Sequence, residues 1–334
     1  MTRPIPVIIG PTAVGKTDLS LAIARDLDAE ILGGDSRQVY RFLDIGTAKP
    51  SLSQRHLVPH HLIDILNPDE PLNAARFAQL AWGCIQAIEA RRKVPLVVGG
   101  SGLYIRALTD GLFAGPGANP RLRTALEAEA DRLGLQALHD RLVAVDPVAA
   151  TRIHPHDRVR IIRALEVHTL TGKPISQWQR QWQHPVQPRA FVLIGLTRNR
   201  EDLRQRIAAR TEAMLQMGLE GEVRRVLAMG YAPTLPTLQS VGYGEIVAYL
   251  RGTWGLAQAR ELIKRHTWRL AKRQMTWFRR LPGIHWISLT ETPDSTAIRM
   301  LHSLLAHQWD GSLEALPDLR EEDQVSACDC PVPR

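Results

Sequence analysis

The sequence predicts an α/β protein, a P-loop parallel sheet flanked by helices, with an inserted all-helical domain. Three observations predict it. Gly10-Pro11-Thr12-Ala13-Val14-Gly15-Lys16-Thr17 reads G-x-x-x-x-G-K-T, a phosphate-cradling loop, between an apolar run and a helical stretch. Strand-like and helix-like segments alternate through the first hundred residues, as a parallel sheet covered on both faces requires. From about Gly115 only helical periodicity remains, until a strand pattern returns near Arg189.

The elements follow in order. Pro6 to Ile9 is a buried strand, and Asp18 to Leu27 is the helix after the P-loop. Ala29 to Gly34 is a short strand ending on Asp35, and His61 to Ile65 is another. Asn73 to Arg91 is a helix with Ala74, Phe77, Ala81 and Ile85 on one face. Val94 to Val98 is a buried strand that stops at Gly99-Gly100-Ser101-Gly102. Arg121–Leu133, Leu135–Val143 and Arg158–Leu170 are amphipathic helices of the insert. Arg189 to Leu196 returns to strand, helices fill Arg200–Met229 and Gln258–Arg280, and Ile284–Leu289 is a last strand. The expected organisation is a catalytic core of residues 1–115 and 189–312, a helical insert of 116–188, and a disordered tail of 313–334, acidic and with little to bury.

Composition narrows the class. The chain has 334 residues, 44% of them hydrophobic and 23% charged, the balance of an ordinary soluble protein. No stretch is apolar enough for a membrane span, and the start runs straight into the first strand, leaving no room for a signal peptide. Cys84, Cys328 and Cys330 make neither a disulfide framework nor a zinc site, so the expected compartment is the cytoplasm. The net charge of +8 favours a polyanionic partner, and its location matters more than its size.

In a parallel sheet, ligands collect beyond the C-terminal strand ends, and here three such ends converge. The first is the P-loop, whose backbone N–H groups and helix N-terminus would hold phosphate, with Lys16 reaching the terminal phosphate and the Thr17 hydroxyl holding Mg²⁺. The second is Asp35, which by position is either a metal-holding or proton-accepting carboxylate or an N-cap for Ser36-Arg37-Gln38. The third is Ser101, where an ordinary P-loop NTPase strand ends on an Asp that helps hold Mg²⁺. A neutral hydroxyl there hints that the phosphate belongs to a substrate and leaves intact. A basic stretch, Ile263 to Arg280, holds seven Lys and Arg and no acid. Arg265, Arg269 and Arg273 form a stripe at i, i+4, i+8, while Ile263, Leu270, Trp277 and Phe278 fall toward a core face. A solvated helix face normally mixes both signs, whereas seven like charges are relieved by a polyanion such as nucleic acid. Arg158, Arg160 and Arg163 form a second basic cluster in the insert. Arg210 alone would pass as a helix-surface residue.

The combination resembles a known family. The P-loop, Asp35-Ser36-Arg37-Gln38-Val39-Tyr40, Asp44-Ile45-Gly46-Thr47-Ala48-Lys49-Pro50, Pro59-His60-His61-Leu62-Ile63-Asp64 and Val98-Gly99-Gly100-Ser101-Gly102-Leu103-Tyr104 are similar to the tRNA dimethylallyltransferases of bacterial type. The similarity continues through Asp146 to Asp157, Arg163 to Val167, Val241-Gly242-Tyr243 and Lys272-Arg273-Gln274, and covers roughly residues 5 to 290. The resemblance implies transfer of a dimethylallyl group from dimethylallyl diphosphate to N6 of the adenosine 3′ of the anticodon, with Mg²⁺ as cofactor and the tRNA anticodon stem-loop as partner. It implies Asp35 as general base, Ser101 (where relatives usually carry Thr) near the bridging oxygen and the reacting amine, and Lys16 and Arg210 on the leaving diphosphate. It assigns RNA contacts to Asp35, Ser36, Arg37, Gln38 and Ser101, to Arg123, Val159, Arg160, Ile161, Ile162 and Arg163, to Gln239, Ser240, Val241, Gly242, Tyr243 and Gly244, and to Arg269, Lys272, Arg273 and Trp277. Relatives often carry Arg or Lys around the Val-Gly-Tyr motif, where this chain has Gln239 and Gly244. A monomer away from the membrane is expected. The rival readings are a P-loop small-molecule kinase, a non-enzymatic RNA-binding nucleotide switch, and a prenyltransferase for free adenine nucleotides.

Overall fold

The computed structural model describes residues 3–112, 115–179 and 190–310 and divides into two compact units, residues 1–108 with 189–334, and residues 109–188. In the first unit, β1 (Ile5–Ile9) is buried at every position, as a central parallel strand must be. The P-loop follows and α1 (Lys16–Asp26) begins at Gly15, whose φ of 111° only glycine adopts without strain. β2 (Ala29–Gly34) is also buried throughout. α2 (Leu52–Leu57) opens on a reciprocal capping box between Ser51 and Gln54, and β3 (His60–His61) is a two-residue edge strand. α3 (Ala74–Ala90), N-capped by Asn73, buries Ala74, Phe77, Ala81, Ile85 and Ile88 on one stripe. β4 (Val94–Gly99) leads into α4 (Gly102–Thr109).

The second unit is all-helical where described: α5 (Pro120–Leu133), α6 (Leu135–Val145), α7 (Pro147–Ala150), α8 (Arg158–Thr171) and α9 (Ile175–Gln179). Its own core includes Leu126, Leu138, Leu142, Ile161 and Leu165.

The chain then returns to the first unit with β5 (Phe191–Thr197), α10 (Arg200–Gln216), α11 (Leu219–Ala228), α12 (Tyr243–Leu250), α13 (Leu256–Phe278), β6 (Ile284–Ser288) and α14 (Asp294–Asp310). The six strands form one all-parallel sheet in the order β3-β2-β4-β1-β5-β6. Register aligns the strand ends that matter: Ile9 pairs with Gly99, and Gly99 with Gly34. The P-loop, Asp35 and Ser101 therefore leave the sheet at one level. Gly34 and Gly99 permit this closeness, since a Cβ on Gly99 would lie 2.1 Å from the Gly34 carbonyl oxygen.

Several expectations are corrected. The helical stretch Arg200–Met229 is two helices, broken at Gly218, which caps α11 in the left-handed conformation with φ 93°. α2, α4, α12 and α14 are not among the elements expected from the sequence. α14 buries Ala297, Leu301, Leu304 and Leu305, a spacing of 4, 3 and 1 that its sequence does display. Leu270 and Trp277, expected in the core of α13, are only half-buried, whereas Ile263, Ala271 and Phe278 are buried. The expected tail of 313–334, including Cys328 and Cys330, lies outside the described residues. Among the described residues, no helix is long and apolar enough to cross a membrane.

Candidate active site

The P-loop is braced by side chains from α10, α13 and the segment after β5. Arg206 Nε donates to the Ala13 carbonyl (2.9 Å) and Arg198 Nε to the Val14 carbonyl (2.7 Å). Arg210 Nη1 reaches Thr12 Oγ1 at 3.2 Å. Gln274, from α13, accepts from the Thr12 N–H (2.8 Å) and donates to the Gly100 carbonyl (3.0 Å), stapling the P-loop to the end of β4. Ala13 itself takes φ 67°, a left-handed conformation that these bonds fix in place.

Lys16 is half-buried in the cavity wall, and its Nζ donates to the carbonyls of Gly10 (3.0 Å) and Pro11 (2.8 Å). Burial lowers its ammonium from the ordinary 10.5 to about 8, against the nearby Asp35 carboxylate and with the help of Arg210. Burial likewise lowers the Arg210 guanidinium, with Arg206 adding to the effect and Asp18 and Asp35 opposing it. Lys16, Thr17, Asp35 and Gln38 line a cavity of about 50 Å³, floored by Ile31, Gly33 and Val98. The acid is fixed by its own turn, because Asp35 Oδ1 accepts from the Arg37 N–H at 2.8 Å. The N-cap reading of Asp35 therefore holds in part, and its other oxygen carries no protein hydrogen bond among the described residues. Ser101 Oγ accepts from the Ser36 N–H at 2.9 Å, which ties the end of β4 to the segment bearing Asp35.

Sequence reasoning missed the frame around this cavity. Gln38 Nε2 donates to the carbonyls of Thr47 and Ala48, both at 3.1 Å. The loop that carries those carbonyls is held in turn by Glu222 of α11, whose carboxylate accepts from the N–H groups of Asp44, Ile45 and Gly46 (3.0, 2.8 and 3.2 Å) and from Tyr243 Oη (2.6 Å). A Cβ on Gly46 would lie 2.4 Å from the Tyr243 ring. Glu222 gave no signal in the sequence, where a Glu in the first turn of a helix reads as a solvent-facing acid.

The remaining RNA-contact residues expected from resemblance differ in exposure and in the partners they already have. Arg269, Lys272, Arg273, Arg160 and Val159 are exposed. Ile161, Ile162 and Tyr243 are buried, so their side chains pack rather than face a partner. Gly242 is buried beside Tyr243 and its N–H donates to Glu245 Oε2 at 2.7 Å, while Gln239, Ser240 and Val241 lie in the turn before α12 and Gly244 in its first turn. Arg123 and Arg163 are committed to a buried partner: Arg123 Nε and Nη2 donate to Glu166 at 3.0 Å each, and Arg163 Nη1 at 2.6 Å. Burial alone would raise the Glu166 carboxyl, and the two guanidinium groups and the Asn119 N–H outweigh it, holding it below the usual range. Trp277 lies against Gly102, where a Cβ would come within 2.1 Å of its ring.

Comparison with known proteins places this geometry. Residues 38–281 match the family model of IPP transferases. A tRNA dimethylallyltransferase of Geobacter sulfurreducens is 46% identical over 86% of this chain and 93% of its own length. One from Syntrophobacter fumaroxidans is 48% identical over 86% of this chain and 84% of its own. The crystal structure of the full-length tRNA isopentenylpyrophosphate transferase from Bacillus halodurans is 39% identical and superposes with a TM-score of 0.70 over 93% of this chain and 98% of that one. A eukaryotic dimethylallyltransferase solved acting on tRNA is 26% identical, with a TM-score of 0.76 over 92% of this chain and 80% of that one. With its parallel sheet, P-loop and strand-end Asp35 and Ser101, the chain belongs to the tRNA dimethylallyltransferase family, the enzymes that prenylate tRNA.

Proposed function

We propose that the prenyl donor is dimethylallyl diphosphate and that the acceptor is N6 of the adenosine immediately 3′ of the anticodon. The observation that carries this reading is the end of β4. It presents the Ser101 hydroxyl, bonded to the segment that bears Asp35, where a hydrolysing P-loop enzyme presents a metal-binding carboxylate. A diphosphate held in such a cradle is suited to depart whole.

The residues divide the work. P-loop N–H groups and Lys16 hold the diphosphate, and Arg210, poised on Thr12, stabilises charge that grows on it as it leaves. The exocyclic amine of adenine is a weak nucleophile, because its lone pair is delocalised into the ring. It attacks the first carbon of the allylic chain, the C–O bond to diphosphate breaks with its electron pair, and a proton passes from N6 to the Asp35 carboxylate. Ser101 keeps its hydroxyl beside both partners. The adenosine must leave its stack to reach this cavity.

Mg²⁺ would be held at the Thr17 hydroxyl, which lines the same cavity as Lys16 and Asp35, with phosphate oxygens and water supplying its other ligands. When bound, it would neutralise part of the diphosphate charge. A tRNA substrate supports a cytoplasmic location.

Incubation with tRNA, dimethylallyl diphosphate and Mg²⁺, followed by mass spectrometry of the digested RNA, tests this reading. The expected product is N6-isopentenyladenosine at the position 3′ of the anticodon. Phosphoryl transfer from γ-labelled ATP to a small acceptor, without modified RNA, would instead support a kinase.

A further inference from the structure

The seam between α10 and α13 is asymmetric in charge. At one end, Arg260 and Lys264 of α13 face Glu212 of α10, at 3.5 and 2.9 Å. At the other end, Trp268 of α13 packs with Ala13 of the P-loop and with Leu203, Ile207 and Ala271. Two arginines of α10 lie over that indole: the guanidinium of Arg204 is 4.9 Å and that of Arg200 6.0 Å from the ring centroid. Neither pairs with a carboxylate among the described residues. The nearby acids are occupied, with Glu201 accepting from Gln205 and Asp202 from Arg198. Both arginines are exposed.

We propose that Arg200 and Arg204, pre-ordered on Trp268, form a binding site for the RNA sugar–phosphate backbone at the flank of the P-loop, beyond the basic helix α13. This rests on the proposed tRNA substrate and adds to it a second anchor on a different helix. Arg265, Arg269 and Arg273 run along the adjoining face of α13, a 100° step round from Trp268, and they too lack carboxylate partners among the described residues. Guanidinium groups of one sign gathered at such a ridge repel one another, and condensed phosphates remove that cost while releasing counterions. The indole face holds each guanidinium near its bound position, which reduces the entropy lost on binding. Arg200 and Arg204 are one helical turn apart, about 6 Å along the axis, so the pair can engage separate phosphates of one strand. The anchor reads no base and contributes affinity and orientation only.

The test is tRNA binding by the full-length protein across a salt series. Arg200→Gln with Arg204→Gln should weaken binding roughly 10- to 30-fold near physiological salt and flatten the slope of log K against log salt by about 1.5. Turnover at saturating tRNA and the KM for the prenyl donor should stay at wild-type values, which also shows that the variant is folded. Trp268→Leu, with both charges kept, should lose less affinity and retain the slope. Arg260→Gln removes a charge already paired with Glu212 and should bind as wild type does. Unchanged affinity and slope in the double variant would overturn the inference, as would an equal loss in Arg260→Gln, which would reduce the effect to net charge. Failure of the wild-type protein to prenylate tRNA would count against the proposed substrate instead, so the two failures are separable.

Discussion

At the residue scale, the site works by placing groups of ordinary chemistry where their neighbours change what they can do. Asp35 is held through one oxygen by the Arg37 N–H, and the other is the oxygen proposed to accept the N6 proton. Asp35→Ala should lower turnover roughly 10²- to 10⁴-fold, the usual worth of a positioned base, with tRNA binding retained in a filter or anisotropy assay. Wild-type-like turnover in that variant would remove Asp35 from the chemistry. Lys16 makes a pH-dependent claim. Its pKa of about 8 in the free protein means that it is charged below that pH and loses its charge as pH rises through it. The kcat/KM for the donor, which reports the free enzyme, should therefore fall above pH 8, while kcat at saturating donor should show no such limb, because bound diphosphate keeps the proton on. Stability has the opposite sign. Burial disfavours the charged ammonium, so Lys16 costs the native state stability below pH 8, and that cost is relieved between about 8 and the ordinary 10.5. Asp35, Ser101 and Lys16 were legible in the sequence because each stands at a strand end or in a fixed motif. Arg206 and Gln274 were not, because their roles are backbone contacts made across the fold from residues more than 170 positions away.

At the element scale, the loop of residues 44–49 links the start of α12 to the cavity. Glu222 is the pin of that link, accepting three backbone N–H groups and the Tyr243 hydroxyl. Glu222→Ala should leave those donors buried without partners and cost about 3 kcal/mol in a denaturant titration. Because Gln38 hangs on the carbonyls of Thr47 and Ala48, the same change should raise the KM for tRNA before it lowers kcat. An unaltered KM alongside lost stability would confine Glu222 to structure. In the insert, Glu166 is the corresponding buried acid, and its two arginines explain why Arg123 and Arg163 look basic in sequence yet are balanced in the fold. The strands and long helices were readable from periodicity, and the break at Gly218 and the start of α12 were not. Both are set by left-handed or tightly packed glycines, and a lone Gly in a helical pattern gives no sign of which role it plays.

At the scale of the whole molecule, the sheet brings three strand ends to one level, and α13 lies across that end with its exposed arginines. Arg269→Ala with Arg273→Ala should weaken tRNA binding and reduce the salt slope by about 1.5, whatever the RNA sequence. A change confined to some tRNAs would make these residues readers of bases instead. The net charge of +8 pointed toward RNA only once it was located on α13. On the proposed reading, the P-loop grips a leaving group rather than a nucleotide to be hydrolysed. The most direct measurement uses dimethylallyl diphosphate radiolabelled in its diphosphate, incubated with tRNA, Mg²⁺ and the wild-type protein. Labelled diphosphate should be released intact, one for each N6-isopentenyladenosine formed. Label appearing as orthophosphate, or diphosphate released without modified adenosine, would contradict that reading.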